Sequence, residues 1–160
     1  MDCGSASTGV GVIERDGRGF RPLYYGAIRT RRSQTFGERL ECIYRELGEL
    51  VKRYHPSSVA VEEVFQALNV RSALQLSQVR GIVHLVAAQA GLPVCEYSAL
   101  TVKQSVVGYG RAEKHQVQRM LQRVLGLPGV PRPADAADAL AVALCHLQIE
   151  TGRRRLLRQP

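Results

Sequence analysis

The chain has 160 residues and a mass of 17.6 kDa, which suits one domain with a substantial core. Lys and Arg number 22 against 14 acidic residues, and the charge of +8 favours a polyanionic partner, although solubility alone also explains such an excess. We find no apolar run of roughly 18 residues that would span a membrane, no signal peptide and no zinc-like cysteine spacing, and therefore expect a cytoplasmic protein with reduced thiols and no membrane contact.

Hydrophobic periodicity and turn residues predict alternating strands and helices. Short apolar runs indicate strands, spacings of three and four indicate helices, and Gly and Pro mark the breaks. Antiparallel strands followed by alternating helices and strands predict an α/β domain with a mixed sheet. The predicted elements, in chain order, are strands at 9–14 and 24–29, a helix at 36–54, a strand at 58–62, a helix at 72–90, a strand at 94–97, and helices at 98–107, around 117–125 and at 134–150.

The predicted domain covers residues 1–150 and is followed by a short basic segment. Four arginines within residues 151–160 supply half of the net charge, so the folded body is basic without them. We expect residues 151–160 to form a disordered tail.

Two acids lie on one face of the last predicted helix. Asp135 and Asp138 are three residues apart in an alanine-rich, otherwise apolar segment. Asp135 as an N-cap and Asp138 as a first-turn acid would explain each of them separately. Both acids on one apolar helix are better explained as ligands for a hard divalent cation.

Two further acids lie at the ends of apolar segments. Glu62 ends a buried strand, where α/β sheets bind ligands, although it would equally mark the wet end of that strand. Asp2 precedes a glycine-containing turn, and solvation near a terminus would explain it. If the fold gathers all four acids, their repulsion favours a bound divalent cation. An acidic metal site on a basic protein indicates cleavage of nucleic acid.

The predicted helix at 72–90 is apolar on more than one side. One side would face the sheet, and the other would contact a second subunit or be buried within a monomer. The pattern favours neither outcome, although a two-fold dimer would suit a substrate with two equivalent strands.

Four segments together resemble the RuvC family of Holliday junction resolvases, over nearly the whole chain to about Glu150. They occur in the order that the family has. They are D-C-G-S-x-x-T-G-V-G-V from Asp2, A-V-E-E-V-F from Ala60, V-K-Q-S-V-V-G-Y-G-R-A-E-K-x-Q-V from Val102 and A-D-A-A-D-A-L-A from Ala134.

The resemblance implies an RNase H-like fold and a homodimer that cuts two symmetric strands of a four-way DNA junction. It implies two Mg²⁺ ions per subunit, with Mn²⁺ as a substitute, and a branch-migration helicase complex as a partner. Two such ions would activate water and stabilise the developing oxyanion. The resemblance implies that the catalytic and metal-binding residues are Asp2, Glu62, Asp135 and Asp138. Asp2 would bridge the two ions. The DNA-binding residues are Lys103, Lys114, Phe65 and Arg71, of which Phe65 would stack on an unpaired base.

The start of the sequence departs from the family pattern. Family members usually carry several apolar residues before the first acid, whereas only Met1 precedes Asp2. We therefore expect an incomplete backbone ladder at Asp2, and the alternative function is a junction-binding protein with impaired or no cleavage. The segment from Asp2 to Gly9 also resembles the phosphate hairpin of actin-like ATPases, which need two lobes and a longer chain.

Overall fold

The computed structural model describes residues 1–17, 19–63 and 70–156, with the backbone alone for residues 155 and 156. Within these ranges the strands and helices follow the order predicted from the sequence. They are β1 (Ser7–Asp16), β2 (Gly19–Arg29), α1 (Phe36–Tyr54), β3 (Val59–Glu62), α2 (Val70–Gln89), β4 (Val94–Tyr97), α3 (Ala99–Val107), α4 (Lys114–Val124) and α5 (Ala134–Leu156). None of these helices combines the length and apolar character that a membrane crossing requires.

β1 and β2 form an antiparallel hairpin that is longer than predicted. Its ladder begins at the pair of Ser7 with Arg29, well before the apolar alternation starts. Gly17 in the connecting turn has a φ of 54°, which glycine adopts without steric cost. β1 has polar ends, so hydrophobic periodicity marks only its middle. The prediction for β2 covers its second half, and the missed first half contains Pro22, a residue that argues against a strand.

Met1 and Asp2 join this hairpin to the parallel pair of β3 and β4. Asp2 and Gly9 exchange both backbone hydrogen bonds, at 3.1 and 2.8 Å. On the other edge, the Met1 amino group donates to the Ala60 carbonyl at 2.5 Å, and the Glu62 amide donates to the Met1 carbonyl at 3.2 Å. These bonds link two two-stranded sheets, β1 with β2 and β3 with β4, into the mixed arrangement that was predicted. The ladder at Asp2 is short, a single bridge to Gly9, but Asp2 does have backbone pairing.

The sheet lies between two layers of helices. Ala60 and Val61 are neighbours in β3, so their side chains face opposite sides of the sheet. Val61 packs in a buried cluster with α1 and α2, and Ala60 in a second cluster with α3, α4 and α5. Buried His146 of α5 forms hydrogen bonds of 2.8 Å to Ser58 and to Tyr97 through its two ring nitrogens, which fixes α5 across β3 and β4.

α5 continues beyond the boundary predicted at Glu150. It runs to Leu156, so the first part of the expected disordered tail is helical. Thr151 donates its hydroxyl to a carbonyl of the preceding turn at 2.7 Å, and Arg153 pairs with Glu150 at 3.3 Å. These local contacts extend the helix past the point where its apolar pattern ends, and residues 157–160 lie outside the described ranges.

A cavity of about 700 Å³ separates part of β1 from β3 and ends at Met1. Because Gly9 directs its backbone groups towards Asp2, the alternation of an antiparallel strand directs those of Gly11 into this cavity. The cavity is therefore edged by strand backbone and lined above and below by apolar side chains. Residues of α1 and α5 on its two faces include Leu47, Leu50, Val51, Ala143 and Leu147.

We expect an engineered apolar extension of about five residues ahead of Met1 to raise the melting temperature by at least about 5 °C. The added strand would pair with the open backbone edges, bury apolar surface and replace the buried amino group by an amide. Scanning calorimetry measures the effect, and an extension of equal length with alternating aspartates is the matched control. Equal melting temperatures for the two extensions would contradict this account of the cavity.

Candidate active site

Asp2 and Glu62 lie side by side at the ends of two neighbouring parallel segments. The Glu62 amide donates to the Met1 carbonyl, which places the following residue, Asp2, at the same edge of the sheet as Glu62. This is the edge at which α/β sheets bind ligands. The fold thus brings together two acids that are far apart in sequence.

α5 brings Asp135 and Asp138 to the same edge because its first turns lie directly on β1. A Cβ atom built on Gly9 would meet the Asp135 carbonyl oxygen at 2.0 Å, and one on Gly11 would meet the Leu140 backbone nitrogen at 3.0 Å. Only residues without a side chain permit this approach. The helix begins at Ala134, so Asp135 lies in its first turn and is not the N-cap.

The two acids of α5 have different partners. The Ser7 hydroxyl donates to Oδ2 of Asp135 at 2.5 Å. The Lys114 ammonium, at the first residue of α4, donates to Oδ2 of Asp138 at 2.5 Å. One carboxylate is therefore held by a neutral donor and the other by a cation.

The pKa values show that the four acids interact. Burial raises the pKa of Asp2, and the charges of Asp138 and Asp135 raise it further. Burial also raises the pKa of Glu62, with added contributions from Asp2 and Asp138. The hydrogen bond to Asp138 raises the pKa of Lys114, since it stabilises the ammonium. The four carboxylates thus form one electrostatic cluster, which Lys114 compensates only in part.

This donor set fits a hard divalent cation. Carboxylate oxygens are the ligands that Mg²⁺ and Mn²⁺ prefer. Burial is the main cause of the raised pKa values of Asp2 and Glu62, and a cation would relieve the repulsion between acids that adds to it. Among the described residues, no three Asp, Glu, His or Cys side chains already form a metal-binding group. The acids are gathered at one edge, and their side chains would have to converge further on a bound ion.

The other residues predicted to bind DNA have different outcomes. Lys103 of α3 lies close enough to the cluster for its charge to oppose the rise in the pKa of Glu62. Arg71 is exposed in the first turn of α2. Phe65 lies outside the described residues.

Two contributors to the cluster were not identified from the sequence. Ser7 is one of several small polar residues in its segment, and no spacing distinguishes it. The Met1 amino group is buried, which lowers its pKa, while the nearby charges of Asp2 and Glu62 act in the opposite direction. Only the folded geometry places these groups beside the acids.

We expect Asp2→Asn to raise the melting temperature at neutral pH without divalent metal. The pKa of Asp2 lies above its usual value of 3.8, so its contribution to stability is present below that value and is lost as the pH rises through the folded-state pKa. The amide removes this loss, and about 1 kcal/mol corresponds to about 2–4 °C in a domain of this size. Calorimetry between pH 4 and 8 measures the difference.

Asp16→Asn is the control for this prediction, because Asp16 is an exposed acid at the hairpin turn. It should leave the pH dependence unchanged. A lower melting temperature for Asp2→Asn than for wild type at pH 7 would show that repulsion between the acids does not dominate at this position.

Comparison with known proteins places this arrangement in a family. The family described as crossover junction endodeoxyribonuclease RuvC matches residues 1–146. The RuvC protein of Pelotomaculum thermopropionicum is 50% identical over 156 residues, which cover 98% of this chain and 95% of that relative. The relative from Syntrophomonas wolfei is 50% identical over 147 residues, covering 92% and 86%.

Solved structures agree with the sequence relatives. T. thermophilus RuvC in complex with a Holliday junction substrate superimposes with a TM-score of 0.91 at 35% identity, covering 95% of this chain and 93% of that one. A structure of Thermus thermophilus RuvC gives a TM-score of 0.89 at 34% identity. These matches confirm the expected RNase H-like fold, and the chain belongs to the RuvC family of crossover junction endodeoxyribonucleases.

Proposed function

We propose that this protein resolves four-way (Holliday) DNA junctions by metal-dependent hydrolysis of two symmetric strands, in recombination and DNA repair. The observation that carries the proposal is the single cluster of Asp2, Glu62, Asp135 and Asp138 beside Lys114. Its support comes also from the T. thermophilus relative, whose structure holds a Holliday junction substrate. Since its substrate is chromosomal DNA, we propose the cytoplasm as its location.

The four acids would hold two Mg²⁺ ions per subunit, or Mn²⁺ in their place. Such ions supply the charge that lowers the pKa of a water nucleophile and stabilises the developing oxyanion. The chain itself contributes acids held on a strand edge and a helix start, and their side chains would converge further on the bound ions. Asp2 and Glu62 keep protons more readily than ordinary acids because of their raised pKa values, so low pH would compete with metal binding.

Lys114 and Lys103 would meet the phosphate backbone beside the acids. Lys114 is 56% exposed at its side chain, so it remains accessible to a phosphate while it contacts Asp138. Lys103 contributes a second positive charge near Glu62. Phosphate contacts of this kind fix the position of the DNA without reading its sequence. Arg71 and Phe65 would complete the DNA contacts, with Phe65 stacking on a base near the junction centre.

The alternative of a junction-binding protein that cannot cut loses its basis. It required Asp2 to lack a backbone ladder, whereas Asp2 is paired with Gly9 and its neighbour Met1 is paired with Ala60 and Glu62. The actin-like ATPase alternative is excluded by the family to which the chain belongs.

We expect Asp138→Asn to reduce cleavage of a synthetic four-way junction by at least about 100-fold, because a carboxylate of the metal cluster is lost while the helix keeps its shape. Junction binding in a gel shift should persist. Glu46→Gln, which changes an exposed acid of α1, is the matched control. Cleavage by Asp138→Asn at the wild-type rate, or wild-type cleavage in the presence of a chelator, would contradict the proposed chemistry.

We propose that two subunits associate through the outer side of α2. Val79, Val83 and Val86 face the core, while Val70 and Leu74 are 76% and 60% exposed. The exposed side continues through Gly81, where nothing lies within 4 Å of a built Cβ, and ends at Leu85, which is 46% exposed. This side of α2 has apolar residues at both ends and a glycine in its middle. Such a surface suits close packing against the same helix of a second subunit related by a two-fold axis. A branch-migration helicase complex is a further proposed partner.

We expect Leu74→Glu to convert the proposed dimer to a monomer, because it places a charge in an apolar interface. Sedimentation velocity at micromolar concentration measures the change. Val130→Glu alters another exposed apolar residue, 39% accessible and away from α2, and should leave the sedimentation coefficient unchanged. A wild-type protein that sediments as a monomer would overturn the proposed interface.

A further inference from the structure

Ser7 links the start of β1 to the first turn of α5. Its hydroxyl donates to Oδ2 of Asp135 at 2.5 Å, a contact between residues 128 positions apart in sequence. This distance lies at the short end of the range for a hydroxyl that donates to a charged carboxylate. A contact of this kind does not follow from local structure, and only the packing of β1 on α5 creates it.

The backbone around Ser7 holds the hydroxyl in place. Ser7 is paired with Arg29 in the ladder of the hairpin, and the neighbouring Ala6 carbonyl accepts from the Thr30 amide at 3.1 Å. Successive odd-numbered residues of a strand share one face, so Ser7 lies on the same side of β1 as Gly9, which packs against the Asp135 backbone. The strand therefore positions the donor, and the donor restrains the rotation of the carboxylate.

The neutral character of this donor distinguishes it from the partner of the second acid. Lys114 contributes a positive charge to Asp138, which competes with any cation for that carboxylate. The Ser7 hydroxyl restrains Asp135 without neutralising it. The Ser7 hydroxyl bonds to Oδ2 of Asp135 and does not engage Oδ1.

We propose that Ser7 is a positioning residue for metal binding: its hydroxyl orients the Asp135 carboxylate so that this acid is ready to accept a divalent cation. The inference rests on the proposed function, because it takes Asp135 to be a metal ligand. Residues that orient metal ligands typically contribute about 10–100-fold to metal affinity or activity. Ser7 acts through Asp135 and is not itself a ligand.

The test compares Mn²⁺ binding by Ser7→Ala, Ser7→Thr and wild type, measured by isothermal titration calorimetry without DNA. We expect Ser7→Ala to weaken Mn²⁺ binding by about tenfold and Ser7→Thr, which retains the hydroxyl, to restore it to within about threefold. In junction cleavage, the Mn²⁺ concentration for half-maximal rate should rise by a similar factor. The rate at saturating Mn²⁺ should change by less than about threefold, because the cation then orients the carboxylate itself.

Ser105→Ala is the matched control. Ser105 also donates its hydroxyl to a side chain of α5, at 2.6 Å to Gln148, in a part of the helix away from the acids. The Ser105→Ala substitution should lower the free energy of unfolding by about as much as Ser7→Ala does and leave the Mn²⁺ affinity unchanged.

Two results would overturn the proposal. The first is an equal Mn²⁺ affinity for wild type and Ser7→Ala. The second is a Ser7→Thr variant that binds Mn²⁺ as weakly as Ser7→Ala, because this would indicate that packing and not the hydrogen bond determines the affinity. The calorimetric comparison needs no cleavage. A wild-type protein that binds Mn²⁺ but does not cut the junction would therefore refute the proposed function and still decide the role of Ser7.

Discussion

The close packing of β1 against α5 is the contact on which the acid cluster depends. Gly9 is at the centre of this contact, because one edge of its backbone is hydrogen-bonded to Asp2 and its face lies on the Asp135 backbone. A single strand position thereby fixes the distance between the sheet and the first turn of the helix. Asp138 lies one turn further along α5, so the packing that places Asp135 also places Asp138. The spacing of three of the four acids is thus set by the absence of a side chain at Gly9.

The assembled cluster is a balance of opposing charges. Burial and mutual repulsion work against ionised Asp2 and Glu62. Positive charges oppose these effects: the Met1 amino group at both acids, Lys114 at Asp2 and Lys103 at Glu62. The compensation is incomplete. A site with full internal compensation would gain little from a divalent cation, whereas this one retains negative charge.

Hydrophobic periodicity is a local property, so sequence patterns predicted the order of the elements. Local patterns and the family resemblance also indicated the four acids, whose role as metal ligands stays a prediction. The ends of β1 and α5 were missed, since polar residues there are held by ladder pairs or by contacts such as that of Thr151. The start of β2 was missed because Pro22 interrupts the strand pattern. The pairing of Asp2 with Gly9, and of Met1 with Ala60 and Glu62, was missed because backbone hydrogen bonds have no side-chain signature. The contact of Ser7 with Asp135 has no local signal at all.

The long sequence separations within the sheet and the acid cluster affect how the enzyme forms during synthesis. Met1 contacts Ala60 across 59 positions, and Ser7 contacts Asp135 across 128. At roughly 5–20 residues per second, the hairpin waits on the order of ten seconds before the helix that completes the cluster emerges from the ribosome. Until then Asp2 and Glu62 have not met the two acids of α5, Asp135 and Asp138. An incomplete nascent chain therefore carries only half of the acid cluster, and the complete site forms only after most of the chain has been synthesised.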